Sequence, residues 1–170
     1  DEARDYIARS QPGGALGIDS AADGVGAELA ALLSVKDAQA RERGIALSVD
    51  ATGTVPSEMS ADLITVVGNL VDNAFDACGA EDRVGVVIAA GAVAVAVTVD
   101  DTGPGVPEHL NEKIFDEGVS TKGSTARARG IGLALVRRVV RRRRGSVVLS
   151  ASPSGGARFT VTLPISGESS

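Results

Sequence analysis

Aromatic side chains are nearly missing from this 170-residue chain, which has no Trp, one Tyr and three Phe. That scarcity disfavours a protein that stacks single-stranded bases on aromatic platforms. It also leaves the core to be built from Val, Ala, Leu and Ile. A single cysteine (Cys78) excludes an intrachain disulfide and any Cys-rich zinc site. With one histidine besides (His109), the composition fits a reduced, cytosolic setting. The first residues lack the basic-then-apolar pattern of a signal peptide, and the chain opens with Asp1, so the sequence reads as an excised piece of a longer protein. The longest uncharged run, Val84 to Val99, has sixteen residues. A bilayer crossing needs about 20. Gly91 interrupts the run, and Ala and Val alternate after it, as expected of two buried strands joined by a tight turn.

What is present is ordinary globular material, 44% apolar and 23% charged, at the length of one domain. The net charge of −5 conceals an asymmetry. Residues 1–121 carry 21 acids and 7 bases, giving −14, whereas residues 122–170 carry 10 bases and 1 acid, giving +9. Eight of those bases lie between Arg127 and Arg144. They read either as a solvated helix face or as cations that meet phosphate or an acidic partner.

Five glycines and a proline punctuate residues 10–26, so a continuous helix is not expected there. A helix is predicted from Ala27 to Arg43, stopped by Gly44, and a half-buried strand from Ile45 to Asp50. Ser60 is the natural N-cap of the next helix. Its apolar positions Leu63, Val66, Val67, Leu70, Val71, Ala74 and Phe75 recur at helical spacing. Two strands (84–90 and 92–100), a polar Gly/Pro-containing stretch (101–129), a helix from Gly130 to Arg143 and two closing strands (146–151 and 158–163) complete the pattern. Residues 166–170 read as a disordered tail. Irregular alternation of helices with mostly antiparallel strands predicts an α+β fold, a two-layer α/β sandwich with helices on one sheet face.

Three segments carry chemistry. In the second helix, Asn69 and Asn73 share a face at i and i+4, with Asp72 and Asp76 beside them at the same spacing. They could simply be the wet face of an amphipathic helix. A neutral amide oxygen is also a good hard ligand for Mg²⁺, which takes its other ligands from water and phosphate. Next, Val99-Asp100-Asp101-Thr102-Gly103-Pro104-Gly105-Val106 follows an apolar strand directly. It makes turns in any case, but its carboxylate could accept from an adenine amino group while the glycines admit a flat ring. Third, Arg129-Gly130-Ile131-Gly132-Leu133 opens the last helix, where free backbone N–H groups and the dipole could bind an anion. Two familiar nucleotide motifs are absent: Gly118 to Ser124 lacks the P-loop lysine, and Glu108 stands where a dinucleotide fingerprint needs its third glycine.

In this order and spacing the segments resemble the ATP-binding catalytic domain of sensor histidine kinases, of the GHKL or Bergerat-fold superfamily. GNLVDNAFDA is similar to its asparagine box, DDTGPGV and RGIGLALVRRVV to its two glycine boxes, and IFDEGVSTK to its phenylalanine box. ARERGIAL, GVSTK and the aspartate of NAFDA look most like the citrate/dicarboxylate-sensing branch. The resemblance implies a mixed five-stranded sheet under about three helices, with residues 27–165 as the catalytic domain and 1–26 as the remnant of a dimerisation and phosphoacceptor hairpin or a linker. It implies ATP and Mg²⁺ as cofactors, with Asn73 on the metal, Asn69 as the second catalytic amide, and Asp76 lining the same site. Asp101 would read adenine, and Gly103, Gly105 and Val106 would face the ring. Phe115, Lys122 and Arg129 would belong to a lid over the phosphates, which would rest on Gly130, Ile131, Gly132 and Leu133.

The implied reaction is transfer of the γ-phosphoryl group to a histidine on a separate phosphoacceptor domain. Water-using ATPases of the superfamily place a glutamate where this chain has Asn69, and an amide cannot take a proton from water. The implied partners are that phosphoacceptor domain and a downstream response regulator, with no nucleic acid. The implied location is the cytoplasmic side of an inner-membrane-anchored protein. His109 is expected to be a surface loop residue and not the phosphoacceptor. Ala128 replaces a family glycine, and Arg143-Arg144 replace a His-Gly pair, which puts the cap of that helix in doubt. An anti-sigma serine kinase, a nucleotide-binding module without turnover, and a basic DNA-binding surface at Arg137 to Arg144 are the alternatives.

Overall fold

The computed structural model describes residues 24–104 and 125–165, the side chains of 125–131 excepted. Its elements run α1 (Ala27–Glu42), β1 (Ala46–Thr52), a 3₁₀ turn (Ser57–Met59), α2 (Ser60–Ala77), β2 (Arg83–Ala90), β3 (Ala94–Asp101), α3 (Thr125–Arg142), β4 (Ser146–Ala151) and β5 (Ala157–Pro164). The five strands form one mixed sheet in the order β1-β2-β3-β5-β4, parallel only between β1 and β2. The parallel pair follows from the intervening helix, since a parallel neighbour needs a long crossover. The uncharged run folds as the β2–β3 hairpin, closed by Gly91 N–H on Ala94 O at 2.9 Å.

Strand alternation sets the layers. Val84, Val86 and Ile88 register with Asp101, Val99 and Val97, and these pair onward with Phe159 and Val161. Those apolar residues are all at most 1% exposed. The opposite face carries Gly85, Val87, Thr98, Asp100, Arg158 and Thr160, and there Arg158 grips Asp100 through two bonds at 2.6 and 2.9 Å. α2 lies across the middle of the buried face with Leu63, Val66, Val67, Leu70 and Val71 sealed from solvent. Each such side chain contributes about 1.5–3 kcal/mol on burial.

Boundaries depart from expectation in two places that matter for the site. Ser60 does not cap α2. The chain already turns at Pro56, whose carbonyl accepts from Met59 N–H, so Met59 occupies the cap position without a side-chain bond. α3 begins at Thr125 and not at Gly130, so the backbone N–H groups of 130–133 belong to the helix interior and not to its open end.

The ends of α1 and α3 are built alike. Gly44 (φ 73) and Arg144 (φ 56) both adopt the left-handed conformation that turns the chain out of the helix. Ile45 N–H reaches back to Ala40 O and Gly145 N–H to Val140 O, both at 2.8 Å. The cap therefore forms without its glycine, and Arg144 carries the strain a side chain meets there.

Candidate functional site

Asp101 ends β3 and is 3% exposed. Its Oδ1 accepts from Gly103 N–H at 2.9 Å and from Ala157 N–H at 3.3 Å, so backbone dipoles stabilise the buried carboxylate. Gly156 of the β4–β5 turn packs on it so tightly that a methyl group would collide with its carbonyl and Oδ1. The same turn is tied down by Ser154 Oγ, which donates to Asp101 O at 3.4 Å. On the other side, Thr102 Oγ1 donates to Asp82 Oδ1 (2.8 Å) and accepts from Arg83 N–H (2.9 Å). Gly79 N–H and then the Thr102 hydroxyl hold Asp82 below the ordinary carboxylate value. This clasp fixes the 101–103 segment against the end of α2, where a methyl group at Gly103 would fall 2.6 Å from Ala77 O. Cys78 sits beside it, and burial, then the charges of Asp101 and Asp82, push its thiol up to about 11.

Further back along α2, Asn69 Nδ2 donates to Thr65 O at 2.7 Å. That leaves Oδ1 facing α3, where a methyl group on Gly132 would lie 2.9 Å from it. Asn73 is buried (4% exposed) one turn on. The polar stripe of α2 thus divides. Asn69 lies on the α3 side, while the acids turn toward α1 and the residue after it: Asp72 pairs with Lys36 at 2.5 Å and Asp76 with Arg43 at 3.6 Å. No group of three His, Cys, Asp or Glu side chains suited to a metal ion occurs among the described residues. The donors present are amide oxygens, which suit a cation held mainly by phosphate and water.

A profile of the histidine kinase-, DNA gyrase B-, and HSP90-like ATPase family matches residues 58–167. The chain belongs to this family. It is 36% identical over 152 residues to the sensor protein CitS of Halalkalibacterium halodurans, which covers 80% of this chain and 26% of that protein. It is likewise 36% identical over 155 residues to the sensor histidine kinase DcuS of Escherichia coli K12 (84% and 27% covered). The chain therefore spans about a quarter of the length of these curated relatives. Its fold is that of the histidine kinase ThkA catalytic domain (TM-score 0.66, 23% identity, 80% of this chain and 90% of that one). It also matches full-length ShkA, solved in complex with AMPPNP (TM-score 0.64, 28% identity, 80% and 29% covered). The expected mixed sheet under three helices is the observed fold.

Within that family fold, the structure brings together the pairs Asp101–Gly103 and Asn69–Gly132, with Asn73 between them along α2 and Leu133 buried beside Gly132. Gly105, Val106, His109, Phe115 and Lys122 lie outside the described residues, as do 1–23, 166–170 and the side chains of Arg129 and Ile131. Sequence reasoning passed over Thr102, Asp82, Gly156 and Ala157, which hold Asp101. Their contacts join positions far apart in the chain, and only the Ser-Gly-Gly turn at 154–156 hinted at a close approach. Nor is the arginine run all solvated, because Arg142 and Arg143 both bond the Asp62 carboxylate.

Proposed function

We propose that the chain is the ATP-binding catalytic domain of a sensor histidine kinase, holding MgATP for γ-phosphoryl transfer to a histidine on a separate helical domain. The observation that carries this is α2 itself. It touches the 101–103 segment at Ala77 and Gly132 of α3 at Asn69, about 12 Å apart along the helix axis. An adenine nucleotide laid along α2 would have its base on Asp101 and its phosphates beside Asn69 and Asn73. The similarity to CitS, DcuS and AMPPNP-bound ShkA supports the same reading.

In this reading the Asp101 carboxylate accepts from the adenine amino group, and Gly103, Gly105 and Val106 let the ring lie close. Asn73 holds magnesium, which when bound neutralises phosphate charge. Asn69 contacts the phosphates, with Asp76 at the border. Phe115, Lys122 and Arg129 close over them, and Gly130, Ile131, Gly132 and Leu133 offer backbone donors once residues 125–129 leave the helix. The residues act by positioning and charge, since none supplies a nucleophile. Asn69 cannot deprotonate water, so transfer is favoured over hydrolysis. The partners are the phosphoacceptor domain and a response regulator, in a membrane-anchored protein whose kinase part is cytoplasmic.

Labelled ATP, supplied with a histidine-bearing hairpin of a related sensor kinase, tests this. Acid-labile label on the hairpin and none on the chain alone is the expected result. Acid-stable label would point to a serine kinase, ATP binding without transfer to an inactive module, and label on His109 would contradict the assignment.

A further inference from the structure

Away from Asp101, at the opposite end of α2, one buried carboxylate joins the two helices that flank the proposed phosphate site. Asp62, in the first turn of α2 and 9% exposed, accepts from Arg142 Nη2 through one oxygen and from Arg143 Nε through the other. Arg143 also donates to Glu58 O at 3.0 Å, so the end of α3, the 3₁₀ turn and the start of α2 are tied at one point. The cluster lines an open cavity of about 570 Å³ with Arg144 and Pro164.

Resting on the nucleotide reading above, we propose that Asp62 and its two arginines are positioning residues. By fixing the rotation and register of α3 on α2, they hold the residue 130–133 segment against Asn69. Among the described residues of α3, Leu133, Val136 and Val140 are buried in the apolar core, and apolar burial is non-directional. It would tolerate a small slide or turn of α3. Two charge-assisted bonds to opposite oxygens of one carboxylate would not. The tolerance at the other end is small, because Asn69 Oδ1 fits against Gly132 where a methyl group would lie 2.9 Å away. Turning α3 would replace that hydrogen with a neighbour's side chain and push the amide aside. α3 is thus pinned twice, by a close approach at Gly132 and by an ionic grip about ten residues later.

The test separates positioning from mere stabilisation by asking which half of the nucleotide is affected. Asp62→Asn, Asp62→Glu and Arg142→Gln are compared with the unsubstituted chain, at a temperature where unfolding curves show each folded. MgATP binding is read by calorimetry, and adenosine binding by competition with a fluorescent adenine nucleotide. Asp62→Asn should weaken MgATP by roughly threefold to thirtyfold and leave adenosine within about twofold. Arg142 has a 59% exposed side chain and is replaceable without burying a new group, so Arg142→Gln should give a smaller loss of the same kind. Asp62→Glu should recover part of it. Equal losses for both ligands, or unchanged affinity for both with only lower stability, would overturn the positioning role. Failure of the unsubstituted chain to bind either ligand would instead overturn the nucleotide reading, and the inference with it.

Discussion

Two buried aspartates mark the two ends of α2, and they are neutralised by different means. Asp62 meets arginines. Asp101 meets backbone N–H groups, from Gly103 and Ala157. A carboxylate paired with guanidiniums has its charge spent within the protein, which suits a structural tie. Two backbone N–H groups fix the Asp101 carboxylate in position, which suits the adenine contact proposed for it. On the proposed reading, the same side chain is a brace at Asp62 and a reader at Asp101.

The largest way to break this contrast is Asp62→Ala. It strands the largely buried Arg143 side chain, 16% exposed, and should cost about 3 kcal/mol, read as a shift in the urea midpoint. On the reader's side, Gly156→Ala forces a methyl group into Asp101. It should cost about 1–3 kcal/mol and also weaken ATP binding, which Asp62→Ala should affect less at the base than at the phosphates. Beside the brace, Arg144→Gly relieves the left-handed strain and should stabilise by about 1 kcal/mol, while Gly44→Ala at the twin helix end should lose about as much. Thermal unfolding of the pair checks both signs.

The smallest effect reports Asp101's charge directly. Cys78 stands near 11 against an ordinary 9.0, chiefly from burial and next from Asp101. Because the folded value is raised, the thiol's contribution to stability is complete below pH 9.0 and is lost as pH climbs through about 11. Asp101→Asn should lower that value and speed alkylation of Cys78 at pH 9. An unchanged rate would mean that Asp101's charge does not reach the thiol.

Much of this was legible in the chain because it is written in local periods. The helical repeat of Leu63 to Phe75 and the alternation of Val84 to Val99 yield α2 and the β2–β3 hairpin directly. The four ordered boxes brought Asn69, Asn73, Asp101, Gly103 and Gly132 to notice. The helix starts were less legible, since Pro56 turns the chain before Ser60 and α3 opens before Gly130. Least legible were partners distant in sequence. Nothing local to Asp62 announces Arg143, and Asp72 and Asp76 share spacing with the asparagines yet turn to Lys36 of α1 and to Arg43 just beyond it. Periodicity reports which face a residue occupies, but not what another element brings to it.

The central assignment is the base on Asp101, and calorimetric titration of the chain with MgATP, beside Asp101→Ala, tests it most directly. The account predicts saturable heat for the unsubstituted chain and none for the variant, with both folded by circular dichroism. Equal affinity in the two, or no heat in either, would contradict it.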